Sequence, residues 1–152
     1  MHQADPARTL GRIAGLVRPG GRIVVHEPLA SPPPRSNPQL GALATYWALL
    51  HEVMEFAGVP RGAIEGLPGS AREAGLDIAE ADGFFCTQDP EIGFEIHAGS
   101  LAAAKERAVK AGIAAEMIDD LVATLRAAKT GGYEWVTSPF LLDLALRKPK
   151  TI

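Results

Sequence analysis

A polar pair, His26-Glu27, stands directly after residues 23–25, which read Ile-Val-Val. This β-branched run predicts a short strand that stops at the polar pair. Open α/β sheets bind ligands beyond the carboxyl ends of their strands. There His26 could take a proton from a substrate hydroxyl, and Glu27 could orient the substrate. The alternative is a polar strand end that water or backbone groups satisfy.

A second group of candidate residues, Tyr46, Trp47 and His51, lies on a long helix predicted near residues 40–57. A wall of aromatic and imidazole rings would suit a flat or apolar small molecule. Glu55 follows His51 by four positions, a spacing at which the two side chains can pair on one helix face. The alternative is therefore a core helix that carries an exposed ion pair.

The other reactive residue types indicate neither a metal site nor a nucleophile. The four histidines, His2, His26, His51 and His97, include no pair four residues apart and no cysteine at metal-ligand spacing, which predicts that no metal is bound. Cys86 lies in a strand-like apolar run, so we expect a buried apolar side chain there. The serines lack the strand–Gly-x-Ser-x-Gly–helix setting of a hydrolase.

Alternating helices and strands must position these residues, which predicts the α/β class. Asp5-Pro6 begins the first helix, because Asp can accept from free N–H groups and proline suits the first helical position. The apolar strand core at 23–25 is typical of a central parallel strand covered on both faces. Strands are predicted near 22–26, 76–87 and 139–147. Five helices are predicted, and two of them, near 100–111 and 114–129, precede the last strand, with Ser100 as the cap of the first.

Composition and charge exclude several classes of function. The chain has 152 residues, 47% apolar and 22% charged, as expected of one globular domain. The net charge is −3 and the basic residues are scattered among acidic ones, so no nucleic-acid surface is predicted. No apolar run reaches the roughly 18–20 residues that span a membrane, and the N-terminus is unlike a signal peptide. We expect a cytoplasmic protein without membrane contact, for which a single cysteine is also typical.

The segment 16–28 reads Leu-Val-Arg-Pro-Gly-Gly-Arg-Ile-Val-Val-His-Glu-Pro. It resembles the turn and fifth strand of the class I, Rossmann-like S-adenosylmethionine-dependent methyltransferases, in which Pro-Gly-Gly precedes an apolar strand with a polar end. Residues 71–76, Ala-Arg-Glu-Ala-Gly-Leu, more loosely resemble the segment before their sixth strand. Residues 1–6 resemble the segment after their fourth strand, which would put His2 at the cofactor edge.

The resemblance implies that residues 1–152 are one partial methyltransferase domain. It would be the C-terminal half of the sheet, strands five to seven, with a helical insertion over 98–132 before the last strand. The strand at 22–26 is expected beside the final strand, and the last two strands should run antiparallel. The insertion would close as a lid over a substrate wall of Glu27, Tyr46, Trp47 and His51.

The implied activity is methyl transfer from S-adenosylmethionine to a small molecule. The family's glycine-rich cofactor loop and two acidic cofactor ligands precede strand four and have no counterpart in this sequence. Without strands one to four, the strand at 22–26 would keep an unpaired edge. We therefore expect a homo-oligomer, such as a dimer, or a pairing with an upstream N-terminal half. The alternative is a non-catalytic module for dimerisation or substrate binding that does not bind the cofactor alone.

Overall fold

The computed structural model describes residues 4–60 and 62–150, which form a mixed α/β structure. The order of elements agrees with the predicted α/β class. The helices are α1 (Pro6–Leu16), α2 (Ala42–Phe56), α3 (Leu67–Glu73), α4 (Pro90–Lys110) and α5 (Ala115–Ala128). The strands are β1 (Arg22–Pro28), β2 (Ser36–Asn37), β3 (Asp77–Phe84), β4 (Thr87–Gln88), β5 (Trp135–Thr137) and β6 (Leu141–Arg147).

The three long strands form one sheet in the order β1-β6-β3. The strand β6 runs antiparallel to both neighbours, with Val25 opposite Leu144 on one side and Ala81 opposite Leu144 on the other. The strands β1 and β3 therefore run in the same direction without touching. Two expectations are confirmed, because β1 lies beside the final strand and the last two long strands run antiparallel.

The strand β1 is not the covered central strand that its apolar run predicts. Its one partner among the described residues is β6, and the two run antiparallel. Val25 is buried, whereas Val24 is 74% exposed. Successive side chains of a strand point to opposite faces, so one face of β1 is packed and the other is open. An unbroken apolar run could not reveal which of its two faces has a neighbour.

The packed face of the sheet forms the first core with α1 and α3. Val25 and Leu144 lie in this core with Leu10 of α1 and Leu67 of α3, and all four are buried. The side chain of Lys148, just after β6, caps the C-terminal end of α1. Its Nζ donates to the carbonyl oxygens of the last turn, those of Ala14 and Val17, at 2.9 Å each. These contacts fix α1 against the sheet.

The turn between α1 and β1 needs the two glycines that the sequence supplies. Gly20 has a φ of +78°, a conformation that other residues rarely adopt. Its N–H donates to the carbonyl oxygen of Lys148 at 2.8 Å. At Gly21 a Cβ atom would lie 2.4 Å from Cγ1 of Val17, so a side chain does not fit. The Pro-Gly-Gly turn thereby sets the position from which β1 starts.

The helices α2, α4 and α5 form a second core with a small sheet, ordered β2-β5-β4. The sequence analysis did not predict this sheet. Its strands have only two or three residues, too few to give a periodic pattern. Phe94, Leu101, Leu125 and Val136 are fully buried where helices and small sheet meet. This second core positions most of the candidate site.

The helix α4 begins at Pro90, ten residues before the predicted start at Ser100. Asp89 caps it, because its Oδ1 accepts from the N–H of Glu91 at 2.9 Å, and Pro90 takes the first helical position. Ser100 is in the middle of the helix, where its hydroxyl donates to the carbonyl oxygen of Ile96 at 2.8 Å. The predicted cap at Ser100 is therefore wrong, and His97 belongs to a helix.

Candidate functional site

A cavity of about 660 Å³ lies between the second core and the carboxyl end of β1. We call it the α2–α4 cavity. Its volume is in the range typical of sites for small molecules. Glu27 and Pro28 line it from the end of β1, and Leu141 from the start of β6. The rest of the described wall comes from α2, α4, residues 57–60 and 62–65, Gln88 of β4 and the loop 138–139.

Four predicted residues, Glu27, Tyr46, Trp47 and His51, line this one cavity. Glu27 comes from the strand end, whereas the other three come from successive turns of α2. The sequence analysis placed these residues around one space at the end of the first strand, and the structure brings them there together. Tyr46, Trp47 and His51 are also buried. The helix α2 is therefore a core helix, as the alternative interpretation has it, and the same buried side chains also line a cavity.

His26, the other predicted catalytic residue, does not line the α2–α4 cavity. It leaves β1 on the open face of the sheet, opposite Asp143 of β6, and its side chain is 53% exposed. Its Nδ1 contacts the Asp143 carboxylate, and its ring lies near that of Phe84. Because neighbouring strand residues face opposite ways, His26 and Glu27 are kept apart. His2, the predicted cofactor residue, lies outside the described residues.

Trp47 is held in place by its indole N–H. This group donates to the carbonyl oxygen of Ala30 at 2.9 Å and to that of Leu29 at 3.2 Å, so that α2 is tied to the loop after β1. The ring of His51 meets the indole edge to face, with 4.8 Å between the centroids. The polar atom of Trp47 is therefore used within the protein. What Trp47 offers the cavity is apolar surface.

Tyr46 contributes a neutral phenol to the cavity wall. Burial raises its pKa to about 12, and a hydrogen bond with Ser100 opposes this shift. The phenol is therefore protonated at neutral pH and does not act as a base. Its ring lies 5.0 Å from the ring of His97, measured between centroids. Tyr46 thereby forms one wall against which His97 is packed.

His97 is the polar residue of the cavity that the sequence analysis missed. It is 1% exposed, and its Nε2 lies 2.9 Å from the carbonyl oxygen of Thr137. A carbonyl oxygen only accepts, so Nε2 carries the proton and Nδ1 has a lone pair. Burial lowers the pKa of His97 below its ordinary value of 6.5, which favours this neutral form. Nδ1 is buried and has no hydrogen-bond partner among the described residues.

A signal for His97 was present in the sequence. Asp89-Pro90 repeats the cap-and-proline pattern of Asp5-Pro6, which the sequence analysis did use. A helix from Pro90 places His97 three residues after Phe94 and four before Leu101, on the inward face. The missed helix start therefore also removed His97 from the candidate residues.

The two helices of the predicted lid relate differently to the cavity. The helix α4 lines it through His97, Ser100 and Arg107 among others. No residue of α5 lines the cavity. Ile118, Leu121 and Leu125 of α5 are instead buried in the second core. The helix α5 thus packs against α4 on the side away from the cavity, and a lid role for the segment 98–132 stays a prediction.

Charged side chains at the cavity are mainly acidic among the described lining residues. Glu27, Glu55 and Glu65 carry carboxylates, and Arg107 carries a guanidinium group. Glu65 also orders the loop after β1, because its Oε1 accepts from the N–H of Ala30 at 2.9 Å. A mainly acidic lining favours neutral or positively charged ligands over anions.

Three further predictions concern features outside the cavity. Among the described residues no group of three or more His, Cys, Asp or Glu side chains could hold a metal ion. Cys86 is exposed rather than buried, since β3 ends at Phe84 and the chain leaves the sheet before the cysteine. None of the helices within 4–60 and 62–150 has both the length and the apolar character to cross a membrane.

No protein-family model matches the chain. No curated protein has a significantly similar sequence either. The function is therefore inferred from the β1-β6-β3 sheet, from the α2–α4 cavity and from the residues that line it.

Proposed function

We propose that this chain is the C-terminal, acceptor-binding part of an S-adenosylmethionine-dependent methyltransferase that acts on a small molecule. The observation that carries the proposal is the arrangement of the three long strands. The resemblance of segment 16–28 led us to expect β1 beside the final strand and β3 antiparallel to that strand, and both pairings are present. Element order and strand pairing thus agree with strands five, seven and six of that fold.

The open side of the sheet supports a half-domain. The outer edge of β1 has no strand partner among the described residues, and Val24 is 74% exposed on the open face. Leu16, at the end of α1, is 89% exposed. Exposed apolar groups beside an unpaired strand edge are where a further strand and its helices would bind. Either another segment or a second copy of the chain could supply them.

The described residues do not themselves fit the cofactor. A cofactor loop follows a strand and begins a helix. Gly66 and Gly69 flank the start of α3 but follow a turn, and Gly131-Gly132 follow the helix α5. We therefore assign S-adenosylmethionine to the other half of the proposed enzyme and derive no step from this chain's contact with it. The part of this chain is to bind and orient the acceptor.

The α2–α4 cavity is the proposed acceptor site, since it opens where β1 ends. Trp47 and neighbouring apolar side chains supply surface for a planar or apolar body. Glu27 is the candidate catalytic residue, because its carboxylate comes from the strand end and lines the cavity. General acid–base groups of this kind contribute about 10²–10⁴-fold to a rate.

The proposal is tested by calorimetric titration with S-adenosylmethionine. We expect no binding by this chain alone and binding once a polypeptide with a glycine-rich strand–loop–helix is added. In the active assembly Glu27→Ala should lower methyl transfer by roughly 100-fold or more. Glu106→Gln is the matched control, because Glu106 lies on the exposed side of α4 and contacts only Lys110 in the described ion pairs. Unchanged transfer by Glu27→Ala would remove Glu27 from the mechanism.

A second candidate function is a non-catalytic module for dimerisation or substrate binding. Within residues 4–60 and 62–150, the outer edge of β1 has no strand partner and no cofactor loop is present, which favours this module as much as a half-enzyme. Light scattering and titration distinguish the two. A stable homodimer that binds small molecules, but that binds no S-adenosylmethionine with any added segment, would support the second function and exclude the first.

A further inference from the structure

We propose that Nδ1 of His97 is the hydrogen-bond acceptor for a hydroxyl group on an uncharged, largely apolar small molecule bound in the α2–α4 cavity. This inference rests on and deepens the proposed function, because it names the class of molecule that would receive the methyl group: a planar compound with a hydroxyl group. Its test does not depend on methyl transfer, since it concerns only binding to this chain. His97 was in none of the site assignments made from the sequence.

The geometry leaves Nδ1 only one role. The Nε2–H group is already bound to the Thr137 carbonyl oxygen at 2.9 Å, so the neutral ring can only accept at Nδ1. Nδ1 lies in a residue that is 1% exposed and that lines the cavity. A buried acceptor without a partner costs free energy, and most buried polar groups in proteins do have one. A ligand hydroxyl would satisfy it.

The surroundings of His97 favour an apolar body on that ligand. The Tyr46 ring packs against the His97 ring, and the cavity wall also includes Leu50, Val53, Ile96 and the apolar surface of Trp47. The Tyr46 hydroxyl is hydrogen-bonded to Ser100. A flat ring system with one hydroxyl would therefore place its apolar atoms against these walls and its O–H group on Nδ1.

Such a site should discriminate strongly between a hydroxyl and an ether. A ligand without a donor leaves Nδ1 buried and unpaired, and sites that hydrogen-bond a hydroxyl reject analogues that lack it. We use 2-naphthol and 2-methoxynaphthalene as probes, because they share their ring system and the ether carries a methyl group in place of the donor hydrogen. We expect the full chain to bind 2-naphthol at least tenfold more tightly, in titrations without cofactor.

The variant His97→Phe tests the assignment, because phenylalanine keeps the ring and removes both nitrogens. The tenfold preference for 2-naphthol should then disappear. Gln88→Leu is the matched comparison, since Gln88 Oε1 is a second buried acceptor in the cavity wall that has no hydrogen-bond partner among the described residues. Equal binding of the two probes by the natural chain would overturn the proposal. Loss of the preference in Gln88→Leu but not in His97→Phe would also overturn it.

A measurement on the unaltered chain covers the case in which His97→Phe does not fold. The ¹⁵N spectrum of labelled histidine should show His97 with its proton on Nε2, and 2-naphthol should shift the Nδ1 signal to lower frequency. The ring of His26, outside the cavity, is the internal control. No shift of Nδ1 at saturating 2-naphthol would refute the assignment. Failure to bind S-adenosylmethionine with any added segment would refute only the proposed function, because the naphthol measurements use no cofactor.

Discussion

Gly93 is the residue at which the contact between α4 and the small sheet can be tested most directly. A Cβ atom there would lie 2.3 Å from Cγ1 of Val136 and 2.9 Å from Oε1 of Gln88. Carbon atoms in contact normally lie about 3.5–4.0 Å apart, so Gly93→Ala requires a local shift of roughly 1.2 Å. Val136 is fully buried and cannot move aside freely. The strain must therefore separate α4 from β5.

The size of the effect follows from two opposing contributions. Alanine in place of glycine inside a helix stabilises it by about 1 kcal/mol. Overpacking of a core costs about 1–3 kcal/mol, and loss of the bond between His97 and the Thr137 carbonyl would add about 1 kcal/mol. We therefore expect Gly93→Ala to lower the free energy of unfolding by about 1–3 kcal/mol. For a chain of this size that is a fall in Tm of about 2–4 °C per kcal/mol.

Gly99→Ala is the matched control, because it makes the same change in the same helix. Nothing lies within 4 Å of a Cβ atom at Gly99, so the free energy of unfolding of this variant should rise by about 1 kcal/mol. Urea unfolding followed by circular dichroism gives both values. If Gly93→Ala were as stable as Gly99→Ala, the close approach of α4 to β5 would be refuted, and with it the geometry that positions His97.

Three further predictions concern His97, the open face and the cap of α1. Because burial holds the pKa of His97 below 6.5, the unfolded chain binds the proton first, and stability should fall as pH drops from about 6.5 through the folded-state pKa. Urea midpoints should show this loss for the natural chain and a smaller one for His97→Phe. Val24→Lys should reduce self-association in light scattering without loss of stability, since Val24 is 74% exposed; unchanged association would exclude this face. Lys148→Met should cost about 1 kcal/mol in thermal unfolding, because two carbonyl oxygens of α1 lose their donor; an unchanged Tm would show that water replaces it.

The long elements could be predicted because their signals are local. The Pro-Gly-Gly turn and the β-branched residues after it determine where α1 ends and where β1 begins. Asp5-Pro6 likewise marks the start of α1, where the Oδ1 of Asp5 accepts from the N–H of Arg8 at 2.9 Å. The pairing of β1 with the final strand was expected from the family resemblance rather than from periodicity.

The small sheet and the surroundings of Cys86 could not be predicted in this way. The strands β2, β4 and β5 are too short for a pattern, and they exist because the chain is brought together there by longer elements. The N–H of Ser138 donates to the carbonyl oxygen of Cys86 at 2.8 Å, a contact between segments far apart in the sequence. Residue type and a strand-like apolar run suggested burial for Cys86, whereas this contact engages its backbone and the side chain is exposed.

The sequence predicted the cavity residues on β1 and α2 but not His97 on α4. Glu27, Tyr46, Trp47 and His51 lie on elements whose ends could be located from the sequence, so their common cavity could be expected. His97 depends on the start of α4 and on the approach of β5, which is a tertiary contact. His26 shows the opposite case, because adjacency in sequence suggested a joint role that strand alternation prevents.

The central position of β6 also determines when the sheet can form during synthesis. The strands β1 and β3 hydrogen-bond to β6 and not to each other, and β6 is the last of the described strands to be made. Until residues 141–147 leave the ribosome, both earlier strands therefore lack their partner. Pairing between such distant segments is slow, and unpaired apolar strands are prone to aggregate. The helices α2, α4 and α5 can pack against one another earlier. The α2–α4 cavity is completed later, because Glu27 of β1 and Leu141 of β6 reach its wall only when β6 has joined the sheet.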